Sequence, residues 1–143
     1  MFDRVYRHQL DAKNRMRIPA KFREELGTDY TVTLGSGGCL FVFTASEMSK
    51  LKKSFEKISP FDTQKQKSVR KFLAYAWDAE EDNQGRILIP QDLRTAAKID
   101  KDIVILKNMH CYEIWAADVW QKYIDDVDFE TAAQDLMQVT ENE

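Results

Sequence analysis

The sequence predicts an α+β protein in which two tandem, pseudo-symmetric, β-rich units share one sheet or small β-barrel-like core with flanking helices. Three observations support this prediction: an internal repeat, strand-sized apolar runs in each copy, and helical periodicity after two equivalent prolines. The chain has 143 residues, of which 43% are hydrophobic and 31% charged. That length and composition suffice for one compact core of this kind.

The repeat becomes visible when the chain is shifted against itself by 71 positions. LDAKNRMRIPAKFREEL (residues 10–26) then lies over EDNQGRILIPQDLRTAA (residues 81–97). The aligned pairs include Asp11 with Asp82, Arg15 with Arg86, Pro19 with Pro90 and, after one inserted residue, Cys39 with Cys111. Charged, proline and apolar positions agree in the same order. The chain is therefore two copies of one unit.

Each copy begins with a strand, a tight turn and a second strand. In the first copy the strand ends at Leu10 and the polar turn spans residues 12–14, while the second turn spans residues 83–85. These turns end in Asn and Gly, which accept positive φ more readily than other residues. Residues 16–18 and 87–89 predict the return strands.

Short helices and β-hairpins follow the return strands. Pro19 and Pro90 mark the helix starts, because proline at the first helical position loses no hydrogen bond. Apolar residues then recur four positions apart, at Phe22 and Leu26 in the first copy. The hairpins run from TVTL to CLFVF and from DIVIL to CYEIW.

Longer helices complete the predicted structure. Thr44 followed by Glu47 resembles a capping box at the start of one helix. A connecting helix is expected from Asp62 to Trp77, and the acidic tail is expected to form a further helix. The predicted organisation is a first repeat at 1–58, a connecting helix within 59–78, a second repeat at 79–125 and an acidic C-terminal tail at 126–143.

The charge is divided unequally along the chain. Residues 1–71 carry 15 Lys and Arg against 8 Asp and Glu, whereas residues 72–143 carry 6 against 16. The net charge of −3 thus hides a basic first half and an acidic second half. Partner choice depends on local potential, so a basic surface for nucleic acid stays compatible with this total. Charge alone favours the simpler interpretation, a solvated basic face on a strand and a short helix.

An Asp-x-x-x-Arg element stands at each tight turn, as DAKNR and DNQGR. The carboxylates of Asp11 and Asp82 can cap the turns or brace the arginines, which is a purely structural role. Two arginines on one face, Arg15 and Arg86, would also suit phosphates or guanine edges. Residue content leaves both interpretations open. The nearby cations that would extend such a face are Lys13, Arg17 and Arg7.

No catalytic, metal or membrane motif is present. Cys39, Cys111, His8 and His110 lack zinc-ligand spacing, and buried structural thiols are the favoured interpretation. Only the adjacency of His110 and Cys111 keeps a thiol enzyme open as an alternative. The apolar runs are far shorter than the roughly 18 residues of a membrane span. We therefore expect a cytoplasmic non-enzyme with no metal, cofactor or small-molecule ligand.

The repeat, the N-terminal string MF…Y.H.LDAKNR…IP..FR..L and the second copy, DNQGR-ILIP, closely resemble the MraZ family of bacterial transcriptional regulators. The resemblance spans residues 1–125. It implies two AbrB-like (SpoVT/AbrB, swapped-hairpin) units and a ring-shaped homo-oligomer such as an octamer. It also implies binding to direct repeats in the promoter of the division and cell wall gene cluster, which includes the protein's own gene.

The resemblance assigns roles to the turn residues. Arg15 and Arg86 are the implied DNA contacts, and Lys13 is their companion. The implied turn-bracing residues are Asp11, Asp82, Asn14 and Gly85. Asn14 stands where the family usually has glycine, and asparagine tolerates the same left-handed conformation.

The predicted function is a sequence-specific DNA-binding regulator, associated with the nucleoid, that displays arginine hairpins on a ring. Two alternatives stay open. One is a ring-shaped scaffold for cell-division proteins that docks them on the helix at 62–77, and the other is a nonspecific nucleoid-associated protein.

Overall fold

The computed structural model describes residues 5–142, and these form eight strands and six helices. The α+β class predicted from the sequence is confirmed. The strands are β1 (Tyr6–Gln9), β2 (Arg15–Arg17), β3 (Tyr30–Leu34), β4 (Leu40–Thr44), β5 (Trp77–Asp78), β6 (Arg86–Leu88), β7 (Asp102–Lys107) and β8 (Tyr112–Ala116). The helices are α1 (Ala20–Leu26), α2 (Ala45–Glu56), α3 (Thr63–Ala74), α4 (Gln91–Ala96), α5 (Ala117–Asp125) and α6 (Phe129–Glu141).

Six strands form one antiparallel sheet in the order β1-β7-β8-β4-β3-β5, and β2 pairs with β6 in a separate two-stranded ribbon. The first strand of each copy pairs with the other copy, because β1 lies on β7 and β5 lies on β3. The two repeats are thus interlocked through an exchange of strands. This pairing does not show the barrel-like closure that was expected.

The register shows a pseudo-two-fold relation between the copies. Phe41 of β4 lies opposite Glu113 of β8, and Met16 of β2 lies opposite Ile87 of β6. In each pair the two residues are equivalents in the sequence repeat. Since residues on a two-fold axis face their own equivalents, these two pairs mark the axis.

One face of the sheet packs against α1, α4 and the inner side of the ribbon. Phe22, Ile87 and Leu93 are buried there against Val32 and Ile114. Burying a side chain of this size contributes roughly 1.5–3 kcal/mol. The core therefore holds the ribbon, and with it both tight turns, firmly against the sheet.

The opposite face of the sheet is covered by α2, α3 and α5. Phe43 and Met48 form one buried cluster there, and Val104 with Trp115 forms a second. Thr33 Oγ1 donates a hydrogen bond of 2.9 Å to the carbonyl of Phe72, which ties α3 to the sheet. The longer helices thus lie on the side of the sheet away from the turns.

Three helix predictions can be compared with the structure. The cap at Thr44 is confirmed, because its Oγ1 accepts from the Glu47 amide at 3.1 Å. The tail helix is also confirmed as α6, capped by Asp128. The predicted end of the connecting helix at Trp77 is wrong, since α3 ends at Ala74. Trp77 instead belongs to β5, where it pairs with Val32 of β3. Strand pairing with the first copy overrides the helical periodicity at that point.

Candidate nucleic-acid interface

Both Asp-x-x-x-Arg turns open onto one groove of about 560 Å³. Its walls come from β1, β2, the start of α1 and the second turn. Four arginines, Arg15, Arg17, Arg23 and Arg86, line this surface, which we call the arginine groove. The fold therefore brings together three of the predicted DNA contacts and adds Arg23.

In the first turn, one carboxylate holds both the backbone and the arginine. Asp11 Oδ1 accepts from the amides of Lys13 and Arg15, at 2.9 and 2.8 Å. Its Oδ2 accepts from Arg15 Nε at 2.8 Å. Asn14 completes the turn with a φ of 63°. Asp11 thus fixes the direction in which the guanidinium leaves the hairpin.

The second turn repeats this geometry closely. Asp82 Oδ1 accepts from the amides of Gln84 and Arg86, at 2.8 and 2.9 Å. Its Oδ2 accepts from Arg86 Nε at 2.8 Å. Gly85 takes the position of Asn14, with a φ of 74°. Two copies of one turn therefore present their arginines in the same way.

Hydrogen bonds from the backbone keep both carboxylates ionised. The Arg86 amide contributes most to lowering the pKa of Asp82, which falls to about 2. The Arg15 amide is likewise the main cause that lowers the pKa of Asp11. Among the guanidinium nitrogens of its arginine, each carboxylate binds Nε. Within residues 5–142, no hydrogen bond occupies the Nη1 and Nη2 atoms of Arg15 or Arg86. These atoms form the fork that recognises phosphate or guanine.

The ribbon places a further arginine on the same face. Met16 and Ile87 point into the core, so the alternate positions of β2 and β6 point outwards. Arg17 then lies opposite Arg86, and Arg15 lies opposite Leu88. Like charges directly opposite each other destabilise a strand pair. An anion bound between Arg17 and Arg86 would relieve that repulsion.

A cross-repeat ion pair braces the second turn. Arg23 Nε and Nη2 donate to the carboxylate of Glu81 at 3.1 and 2.9 Å, and the Glu81 side chain is only 8% exposed. This hydrogen bonding is the main cause that raises the pKa of Arg23. A Cβ on Gly85 would lie 3.8 Å from Arg23 Cζ. Arg23 of the first copy therefore packs beside the turn of the second.

Sequence reasoning missed this pair, although a signal for it exists. Leu10 donates its amide to Lys101, and Ala79 donates its amide to Tyr30. Residues 30 and 101 are repeat equivalents, so the strand pairing makes Leu10 equivalent to Ala79, whereas the ungapped sequence alignment places Leu10 over Glu81. In the first copy Leu10 is followed directly by the turn aspartate, whereas in the second copy residues 80–81 lie between Ala79 and its turn aspartate. The insertion supplies Glu81, which has no counterpart in the first copy by strand pairing and lies over the apolar Leu10 in the sequence alignment.

Two predicted contacts lie outside the groove. Lys13 is exposed in the first turn, next to Asp11 at the groove wall. Arg7 lies on the other face of β1, where its Nη2 is 3.5 Å from Oε1 of Gln121 in α5. His8 instead lines the groove, because alternate residues of a strand point to opposite faces.

The cysteines show no sign of catalytic activation. Cys39 and Cys111 are both buried, and burial raises the pKa of Cys39 to about 12 and that of Cys111 to about 11. A thiol of this kind is a poor nucleophile, since the thiolate is the reactive form. In the part of the chain that the structure describes, no cluster of three His, Cys, Asp or Glu could hold a metal ion. None of the helices described is both long and apolar enough to cross a membrane.

Comparison with known proteins agrees with the two-repeat architecture. The family model described as "MraZ protein, putative antitoxin-like" matches residues 1–71 and again residues 72–140. A protein named Transcriptional regulator MraZ from a Thermoanaerobacter species is 42% identical over 133 residues, covering 92% of this chain and 93% of its own. The protein of that name from Ligilactobacillus salivarius is 39% identical over 139 residues, covering 96% and 97%.

A third relative with the same name, from Carboxydothermus hydrogenoformans, is 44% identical over 124 residues and covers 86% of each chain. The two family matches together cover nearly the whole chain, one on each copy of the repeat. The chain therefore belongs to the MraZ family.

Proposed function

We propose that this protein is a sequence-specific DNA-binding transcription regulator that uses the arginine groove to read promoter DNA. One observation carries the proposal: two equivalent turns bind the guanidinium groups of Arg15 and Arg86 through Nε, their Nη atoms have no hydrogen-bond partner within residues 5–142, and both arginines line one groove. The relatives' name, transcriptional regulator, supports the same conclusion.

The groove has the chemistry that a DNA contact requires. Arg15 and Arg86 can each form two parallel hydrogen bonds to guanine O6 and N7 in the major groove. Arg17 and the exposed Lys13 add positive charge for the phosphates on either side. The two-stranded ribbon that carries these arginines is narrow enough for a major groove, which admits such an element.

We further propose that the protein acts as a ring-shaped homo-oligomer of AbrB-like swapped-hairpin units on direct repeats. The repeats would lie in the promoter of the division and cell wall gene cluster, beside its own gene. A single groove offers few phosphate contacts, and the chain carries a net charge of −3. Several grooves on one assembly would combine weak contacts through effective concentration. That avidity lets an acidic protein hold DNA and associate with the nucleoid.

The test is a fluorescence anisotropy titration on labelled DNA from upstream of the protein's own gene, at several salt concentrations. Arg15→Ala and Arg86→Ala are compared with Lys122→Ala, which removes one charge from α5 on the far side of the sheet. We expect both arginine variants to lose binding while the control keeps it. Each arginine that contacts a phosphate should make the log–log salt slope shallower by about 0.9.

A comparison of promoter DNA with scrambled DNA distinguishes recognition of the bases from electrostatic attraction to the phosphates. An arginine that reads guanine contributes about 1–3 kcal/mol of discrimination, so its alanine variant should lose preference for the promoter. Arg17→Ala and Lys13→Ala should weaken both DNAs equally. Arg7→Ala examines the remaining predicted contact, which lies outside the groove. Unchanged promoter binding by both Arg15→Ala and Arg86→Ala would refute the assignment of the groove.

The arginine groove also supports a second candidate function. The facing pair of Arg17 and Arg86 suits phosphate as well as it suits bases. A wild-type protein that binds scrambled and promoter DNA equally would act as a nonspecific nucleoid-associated protein. No binding by a folded oligomer would favour the scaffold function.

A further inference from the structure

The C-terminal helix α6 has an apolar face that nothing else in residues 5–142 covers. We propose that this face docks on the α2–α3 hairpin of a second copy of the same chain, in a head-to-tail contact. This contact would be an interface of the homo-oligomer in the proposed function, and it rests on that proposal for the view that the protein assembles. The two surfaces that meet are the apolar face of α6 and the α2–α3 hairpin.

The apolar residues of α6 recur at helical spacing. The large members are Phe129, Leu136, Met137 and Val139, which are 88%, 66%, 60% and 64% exposed. Ala132 and Ala133 lie on the same side of the helix, because positions three and four apart are neighbours. Every residue of α6 except Ala132 is exposed. The helix therefore carries a broad apolar face with no partner among the described residues, 5–142.

A helix of this length requires a partner. α6 has 13 residues, and isolated helices of about 12–15 residues are marginal in water. Contiguous exposed apolar surface of this kind marks an interaction site. The charges of α6 restrict its partner, since Glu130, Asp135 and Glu141 are acidic and the helix contains no Lys or Arg. The partner should present an apolar cleft bordered by positive charge.

The α2–α3 hairpin presents such a surface. A cleft of about 260 Å³ lies between the two helices, and Phe55, Ile58, Val69 and Phe72 line it together with Lys65 and Ser68. Residues 45–74 contain eight Lys and Arg against three acidic residues. Phe61, in the loop between the helices, is 90% exposed. Apolar character and charge are thus both complementary to α6.

The α6 helix that occupies the cleft between α2 and α3 comes from another copy and not from the same chain. A connection of only three residues, 126–128, joins α6 to α5, and the residues that line the cleft include none from α6. In the first repeat, α3 turns back so that the Phe72 ring packs against Phe43 on the sheet, with their ring centroids 6.1 Å apart. Because α6 makes no such ring contact with the rest of residues 5–142, its apolar face is free to reach a neighbour. The two surfaces differ, so the contact is heterologous and repeats from subunit to subunit until a ring closes.

The experiment compares two double variants of the full chain by light scattering after size-exclusion chromatography. Leu136→Asp/Met137→Asp places two charges on the apolar face, whereas Gln134→Asp/Gln138→Asp places the same charges on the polar face. All four positions are exposed, and circular dichroism checks that the fold is kept. We expect the apolar-face variant to shift to smaller species and the control to keep the wild-type size.

A crosslink identifies the partner surface. Chains carrying Leu136→Cys are mixed with chains carrying Val69→Cys under mild oxidation, and an intermolecular disulfide between the two is expected. The natural cysteines are buried, and a mixture of wild-type chains serves as the blank. A double variant that crosslinks only within one chain would overturn the proposal. An unchanged size for the apolar-face variant, or a monomeric wild-type protein, would overturn it as well.

DNA binding distinguishes this inference from the proposed function. The apolar-face variant keeps its arginine groove, so it should bind DNA with one repeat as the wild type does. On DNA with several repeats its affinity should fall about 100-fold or more, because avidity is lost. If the size stays unchanged while Arg15→Ala still abolishes binding, the interface proposal fails and the proposed function stands.

Discussion

Replacing Gly85 by alanine tests whether the second turn depends on the left-handed backbone conformation. Gly85 has a φ of +74°, and an added Cβ would meet only the guanidinium of Arg23, at 3.8 Å or more. That distance is an ordinary contact, so no clash contributes to the effect. The expected loss is therefore the intrinsic penalty for a non-glycine residue in this region, about 1–2 kcal/mol.

The equivalent turn provides an internal calibration. Asn14 occupies the same position with a φ of 63°, and asparagine is among the residues that tolerate this conformation. Gly85→Asn should therefore lose less stability than Gly85→Ala. In a chain of this size, a change of 1 kcal/mol shifts the melting temperature by about 2–4 °C. The melting temperatures of Gly85→Asn and Gly85→Ala should therefore differ measurably in a thermal unfolding scan.

The assay combines thermal unfolding at a fixed protomer concentration with anisotropy titration on promoter DNA. The fixed concentration matters because association shifts apparent stability. Gly27→Ala is the control, since Gly27 has φ 67° and ψ −150° at the end of α1, outside the groove. That region of backbone space is essentially confined to glycine. Gly27→Ala should lose at least as much stability as Gly85→Ala while its DNA affinity is retained.

Gly85→Ala should weaken DNA binding as well, because the turn sets the position of Asp82 and thereby of Arg86. A Gly85→Ala protein as stable as the wild type would refute the backbone argument. Equal losses of DNA affinity in Gly27→Ala and Gly85→Ala would show that general destabilisation, and not turn geometry, controls binding.

Two further predictions concern titratable groups. The folded-state pKa of Asp82 is lowered to about 2, so its stabilising effect should be complete above the ordinary value of 3.8 and disappear as pH falls towards 2. The excess stability of wild type over Asp82→Asn, measured by denaturant unfolding, should shrink between pH 5 and pH 2; a pH-independent difference would contradict this. The pKa values of Cys39 and Cys111 are raised to about 12 and 11, so both thiols should resist a thiolate-selective reagent at pH 8 until the protein unfolds. Fast labelling of Cys111 in the native protein would favour the thiol-enzyme alternative.

The two copies share one turn geometry but differ around it. Arg17 has Leu88 as its repeat equivalent, and Lys13 has Gln84, so the first copy supplies more positive charge to the groove. The second copy has its turn braced by the ion pair between Glu81 and the first copy's Arg23. We therefore expect the first turn to contribute more to phosphate attraction and the second to be the more firmly positioned.

Features that depend on neighbouring residues could be predicted from the sequence alone. The turns at 12–14 and 83–85 follow from residues that accept positive φ, and the cap at Thr44 follows from a hydroxyl three residues before Glu47. The repeat itself indicated that both arginines would be displayed in the same way. Each of these features is set by backbone preferences and spacing within a few residues.

Only the tertiary structure decided which strands pair and which cations meet. β1 lies on β7, nearly a hundred residues away, and Trp77 leaves the predicted helix to pair with Val32. The same packing brings Arg23 to Glu81 and turns Arg7 towards α5, away from the groove. Local periodicity cannot specify such contacts, because their stability comes from burying surfaces that the chain brings together only when both copies interlock.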